Sequence, residues 1–134
     1  MENVNVNNKV ELEFNFNTSS SLLFNRLSTP SGLSEWFADD VNLNGKVFTF
    51  IWNKVEHHAE QVGLKENKFV RYRWVDESGE PIDEDAYFEF RLAPDDLTGG
   101  VALHVTEFLL DDDTEDAISL WNYQLGELKR NLGV

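Results

Sequence analysis

The chain contains no cysteine, which excludes a disulfide framework, a thiol nucleophile and any cysteine-ligated zinc or iron–sulfur centre. Long apolar runs are also missing. No segment approaches the ~18 apolar residues of a membrane-spanning helix, so no membrane span is expected. Residues 1–14, MENVNVNNKVELEF, hold neither a basic n-region nor a continuous apolar h-region, so a secretory leader of that kind is not expected and the cytoplasm is the expected location. Basic residues are scarce: 11 Lys and Arg stand against 25 Asp and Glu, a formal charge of −14. That balance repels phosphate backbones and anionic headgroups, which argues against nucleic acid as a partner. No internal repeat, low-complexity tract or linker divides the 134 residues, and one compact domain is expected.

What the chain does have is aromatic mass in alternating runs: ten Phe, four Trp and three Tyr. Lys9 to Asn17 sets Val10, Leu12, Phe14 and Phe16 on one face and polar residues on the other, the period-two pattern of a half-buried strand. Next, TSSSLLFNRLS begins with capping hydroxyls and places Leu22, Leu23 and Leu27 at helical spacing. Pro30 limits this helix. SGLSEWFA then puts Leu33, Trp36 and Phe37 on a second short helix. Val47–Trp52, Val55–Leu64, Phe69–Trp74, Ala86–Leu92 and Val101–Leu110 return to strand character, with a turn at Asn44-Gly45, a polar turn at residues 65–68 and an acidic loop at 76–85. Short-looped strands in succession pair antiparallel and commonly bury one face.

The last segment, Thr114 to Leu132, supplies the cover for that face. Ile118, Trp121, Leu125, Leu128 and Leu132 follow at spacings of three and four, one stripe on a helix. Asp111 to Asp113, Glu115 and Asp116 suit its positive start, and Lys129, Arg130 and Gly133 suit its end. The expected fold is α+β: a curved antiparallel sheet of about six to seven strands gripping a long C-terminal helix, with two short helices after the first strand.

Three pieces carry a family resemblance. TPSGLSEWFADDV resembles the Thr-Asp-Pro, Leu, Trp-Phe signature of the activator-of-Hsp90-ATPase-like proteins, within the START-like, helix-grip superfamily. LNGKVFTFIW is similar to their glycine turn and aromatic strand, and LWNYQLGELKRNL to their final helix. Residues 72–74 and 103–108 are similar to strands at corresponding places. The departures are a single Gly45 after Asn44 where the family has paired glycines, and the acidic loop in place of a plain hairpin. The resemblance implies a sheet gripping the last helix around an apolar cavity. Its relatives include lipid and hormone binders, aromatase/cyclases and co-chaperone domains.

Candidate cavity residues are Trp36, Phe37, Trp52, Tyr72, Trp74, Tyr87, His104, Trp121 and Leu125, with Arg73 and His104 as inward polar groups. The same rings can instead simply fill the space under the helix, since large aromatics are ordinary core. His57 and His58 beside Glu56 and Glu60 do not form a metal site, because neighbouring strand residues point to opposite faces. The acidic runs 76–85 and 111–116 lack calcium-loop ligand spacing and read as a solvated loop and a helix start. Without cysteine, a Gly-x-Ser-x-Gly elbow or a partner for His104, no catalytic residue and no cofactor are assigned. Two functions compete: a non-enzymatic binder of a small hydrophobic molecule, and a chaperone-linked interaction domain acting through its surface. A cyclase or hydrolase is the third.

Overall fold

A computed structural model describes residues 8–110 and 112–134. Its order is β1 (Lys9–Phe16), α1 (Ser20–Ser28), α2 (Pro30–Leu33), β2 (Asp40–Asn44), β3 (Val47–Trp52), β4 (Val55–Lys65), β5 (Phe69–Val75), β6 (Tyr87–Pro94), β7 (Val101–Phe108) and α3 (Thr114–Leu132). The seven strands form one antiparallel sheet in the order β1-β7-β6-β5-β4-β3-β2. β2 to β7 run as a meander, and β1 docks beside β7, Phe14 opposite Leu103. The first two strands therefore lie at opposite edges. α1 and α2 connect those edges, and their buried residues join the same core as α3 and the sheet.

Period two decides what each strand buries. Val70 and Tyr72, Phe88 and Phe90, and Leu103 and Val105 are all inaccessible, while Arg91 and His104 between buried positions are exposed. A bulge at Gln61/Gly63 interrupts the β4–β5 register, the irregularity that bends a sheet. The β3–β4 hairpin turns through Asn53 and Lys54, both at positive φ, as a two-residue turn matching strand twist requires.

Thr29 organises the helical corner. Its Oγ1 donates to the Asn25 carbonyl (2.8 Å) and accepts from the Gly32 N–H (2.9 Å), closing α1 while capping α2. Pro30 at the first helical position keeps Thr29 extended. Gly32 is needed for proximity, since a Cβ there would sit 2.1 Å from the Asn25 carbonyl oxygen. Within α1 the buried face is Leu23, Phe24 and Leu27. Leu22, expected inward, is exposed because Phe24 takes its place on the core side.

α3 ends as its sequence predicts: Gly133 is left-handed, and its N–H and that of Val134 satisfy the Arg130 and Lys129 carbonyls. Asn131 ties this end to the corner, accepting from Arg26 Nε (2.8 Å) and donating to Glu35 (2.9 Å). The start differs from expectation. Burial begins at Trp121 and continues through Gln124, Leu125 and Leu128, while Ile118 is 37% exposed. Asp111, in the acidic start, and residues 1–7 of the leader reading lie outside the described residues. No described helix is long and apolar enough to cross a membrane.

The outer sheet face carries charge on aromatic supports. Glu89, buried there, accepts from Arg71 (2.8 Å) and Arg91 (3.1 Å), whose guanidinium groups lie over Tyr87 and Phe69. Burial pushes the Glu89 carboxyl up, but the hydrogen bonds and charges of Arg71 and Arg91 outweigh it and hold the group below the usual carboxylate range. A carboxyl depressed in the folded state stabilises the fold above its unfolded pKa, and that contribution disappears as pH falls through the folded value. Glu89→Gln is therefore expected to lose less melting temperature than the parent between about pH 7 and about pH 3. Equal losses in thermal melts at the two pH values would refute this.

Candidate functional site

Phe37 is the pivot of the interior. It is only four residues beyond α2, in a turn whose N–H groups reach back to the Leu33 carbonyl. Its ring meets Trp36 (5.2 Å), Phe50 (5.0 Å), Trp52 (5.2 Å), Phe88 (5.5 Å) and Trp121 (5.8 Å). Trp121 in turn lies against Phe88 and Phe90 (6.0 and 5.7 Å). Directly beneath Trp121 the interior is filled with rings.

Where this packing ends, a solvent-open cavity of about 870 Å³ lies between the N-terminal half of α3 and strands β3 to β5. Trp36, Phe37, Trp52, Trp74 and Trp121 line it, together with His57, Glu107, Leu109, Ala117, Leu120 and Gln124. The indoles are mostly anchored by their nitrogens: Trp36 donates to the Arg26 carbonyl (2.7 Å), Trp52 to the Phe37 carbonyl (2.7 Å) and Trp121 to Glu107 Oε1 (2.8 Å). Gln124 Nε2 donates to the same Phe37 carbonyl (2.9 Å). One backbone oxygen thus fastens the turn to β3 and to α3. Buried N–H groups left without acceptors would cost about 1–3 kcal/mol each, so these bonds fix the ring planes that form the walls.

Four of the candidates drawn from the sequence are elsewhere. Tyr72 is fully buried and donates to the Leu27 carbonyl (2.7 Å), joining β5 to α1, and burial pushes its phenol pKa well up. Leu125 is fully buried in the core below the cavity. Tyr87 is on the outer face, packed on Phe108 (4.8 Å) and under Arg71. His104 is also outward, 3.8 Å from Glu13 across the β1–β7 pair. Arg73, expected inward, faces outward to Glu84 (3.2 Å) and Glu60 (3.8 Å). Strand parity explains all three outward placements: each neighbours, along its strand, a residue buried on the inner face.

His57, Glu107 and Gln124 are lining residues that were not chosen from the sequence. Parity could have found the first two, because His57 is in phase with buried Ala59, and Glu107 with Val101, Leu103 and Val105. His57 packs beside Trp52 (5.4 Å), whereas His58 turns to the other face and meets Thr49 Oγ1 (2.9 Å). The acidic side chains at the cavity are Glu35, Asp39, Glu107 and Glu127, and no lysine or arginine is among its described lining residues. Asp39 accepts from the Asn53 N–H (2.9 Å), and Glu127 pairs with Arg130.

A model of the START-like superfamily domain matches residues 4–134. No curated protein matches the chain. Among solved structures, a Bacteroides fragilis protein determined in solution is similar at 36% identity, covering 92% of this chain and 90% of that one, with a TM-score of 0.62. The Aha1 dimer from Colwellia psychrerythraea is similar at 18% identity over 90% and 92% of the two chains, TM-score 0.75. A protein in the dynemicin biosynthetic locus is similar at 12% identity over 95% of this chain and 48% of its own, TM-score 0.77. At such identities the last two likenesses speak to fold alone.

Proposed function

Because the chain belongs to the START-like superfamily, we propose that it is a non-enzymatic, single-domain binding module that takes a small hydrophobic, ring-bearing molecule into the cavity between sheet and α3. The observation that carries this reading is the cavity of about 870 Å³ walled by four tryptophans. Its size falls within the range of small-molecule pockets, roughly 300–1,000 Å³. Hydrogen bonds fix three of the four indoles, so the aromatic walls are preformed and a ligand need not order them first.

The test is a thermal-shift and tryptophan-fluorescence screen with sterols, flavonoids, polyketide-like aromatics, and fatty acids and amines. A ligand at a hundredfold excess over its Kd should add about 2.7 kcal/mol of stability and change the indole emission. Ala117→Phe, which fills the cavity from α3, should abolish both effects. If no member of the panel produces either effect, the reading falls.

A second reading is the chaperone-linked interaction domain. It is favoured by Leu110 and Ile118, which expose apolar surface around the start of α3, next to Leu120 and Tyr123 on the cavity rim. A silent ligand screen would turn attention to that surface.

A further inference from the structure

We propose that the cavity selects cations, so that its ligand class is a ring-bearing molecule carrying a protonated amine. The inference rests on the cavity reading above and narrows it. Two independent features of the walls point the same way. The first is aromatic: Trp36, Trp52, Trp74 and Trp121 line the space, Trp52 and Trp74 being the partly exposed pair, and an indole π-system attracts an ammonium group and does nothing for a carboxylate. The second is charge: the lining holds four carboxylates and no lysine or arginine, with His57 its one imidazole.

The acidic groups differ in how much charge they offer. Glu127 is paired with Arg130 and contributes little. Glu35 and Asp39 are held by neutral donors, Asn131 Nδ2 and the Asn53 backbone N–H, so their hydrogen bonds fix the carboxylates without cancelling their charge. Glu107 accepts from the indole N–H of Trp121 and serves to fix that ring. An anionic ligand entering this cleft would meet like charge with no lysine or arginine on the lining to receive it. A neutral ring loses nothing but gains only stacking. A protonated amine gains from the π-faces and the carboxylates together, and the −14 charge of the whole chain attracts it from a distance.

Three probes of one shape separate these terms: naphthylethylamine, naphthylethanol and naphthylacetate, titrated calorimetrically near neutral pH. The amine should bind about tenfold or more tighter than the acid, with the alcohol between them, and the gap should narrow as salt is raised. Glu35→Gln retains an acceptor for Asn131 Nδ2, and Asp39→Asn retains one for the Asn53 N–H. Each should reduce the ratio of amine to alcohol affinity. If a melt shows that Glu35→Gln does not fold, Asp39→Asn carries the comparison. Alcohol or acid binding as tightly as the amine overturns the selectivity and leaves the cavity reading standing. Failure of all three probes to bind, alongside a silent broad panel, overturns both.

Discussion

Phe37→Ala should destabilise the fold by about 3–5 kcal/mol, the range for losing a large aromatic from a packed interior. Phe37 is 4% exposed and sits among Trp36, Phe50, Trp52, Phe88 and Trp121. These neighbours come from the corner, two strands of the sheet (β3 and β6) and α3, so no single element can move to fill the gap. The Phe37 carbonyl keeps accepting from Trp52 and Gln124 in the variant. The loss therefore measures ring packing rather than broken hydrogen bonds. Urea unfolding is the measurement, and Leu97→Ala is the reference. Leu97 is 97% exposed, and its truncation should change stability by no more than about 0.5 kcal/mol. A loss under about 1 kcal/mol at Phe37 would mean that the aromatic cluster is loosely packed and that the cavity extends beneath Trp121.

The strands were legible because each buries one face, and a period of two survives any detail of pairing. The corner was legible in part: Pro30 limits α1 as expected, but α2 is only Pro30–Leu33, and Trp36 and Phe37, expected on that helix, lie in the turn after it. What the pattern did not reveal was which strand neighbours which: β1 beside β7 is a contact between the two ends of the sheet, and nothing in Lys9–Phe16 by itself specifies it. The place of the β3–β4 turn was legible as the gap between the strands expected at Val47–Trp52 and Val55–Leu64, but not its conformation, since Asn53-Lys54 adopts positive φ without the glycine that usually announces it.

The site was only partly legible, for a different reason. Trp36, Phe37, Trp52, Trp74 and Trp121 were found because their size and their position on apolar faces agreed. Tyr87, His104 and Arg73 were chosen for chemical type, against the parity of their own strands, and all three lie outside. Glu107 and His57 obeyed parity but were passed over, because a polar residue in phase with a buried face looks like an exception. At a cavity wall it is where polar groups are placed to meet a ligand. Their selection needed the open space beside them, which only the assembled fold provides.

The phase of α3 can be settled by comparing three alanine variants. Leu125→Ala should cost about 2–5 kcal/mol, since the side chain is inaccessible and its removal leaves a void between helix and sheet. Tyr123→Ala should cost under about 1 kcal/mol: two residues back is about 200° around the helix, and the tyrosine is 65% exposed. Ile118→Ala is the deciding arm. On the unbroken stripe drawn from the sequence it would behave like Leu125. In the structure the first turns of α3 extend over the cavity, with Ala117 and Leu120 lining it and Ile118 turned toward solvent. The expected cost is therefore also under about 1 kcal/mol. Urea titrations with a common slope would give all three values on one scale. A loss at Ile118 equal to that at Leu125 would mean that the whole helix lies flat on the sheet. That would close the space between Trp74 and Leu120 and leave no room for a ligand, whereas a small loss keeps the overhang and the cavity beneath it.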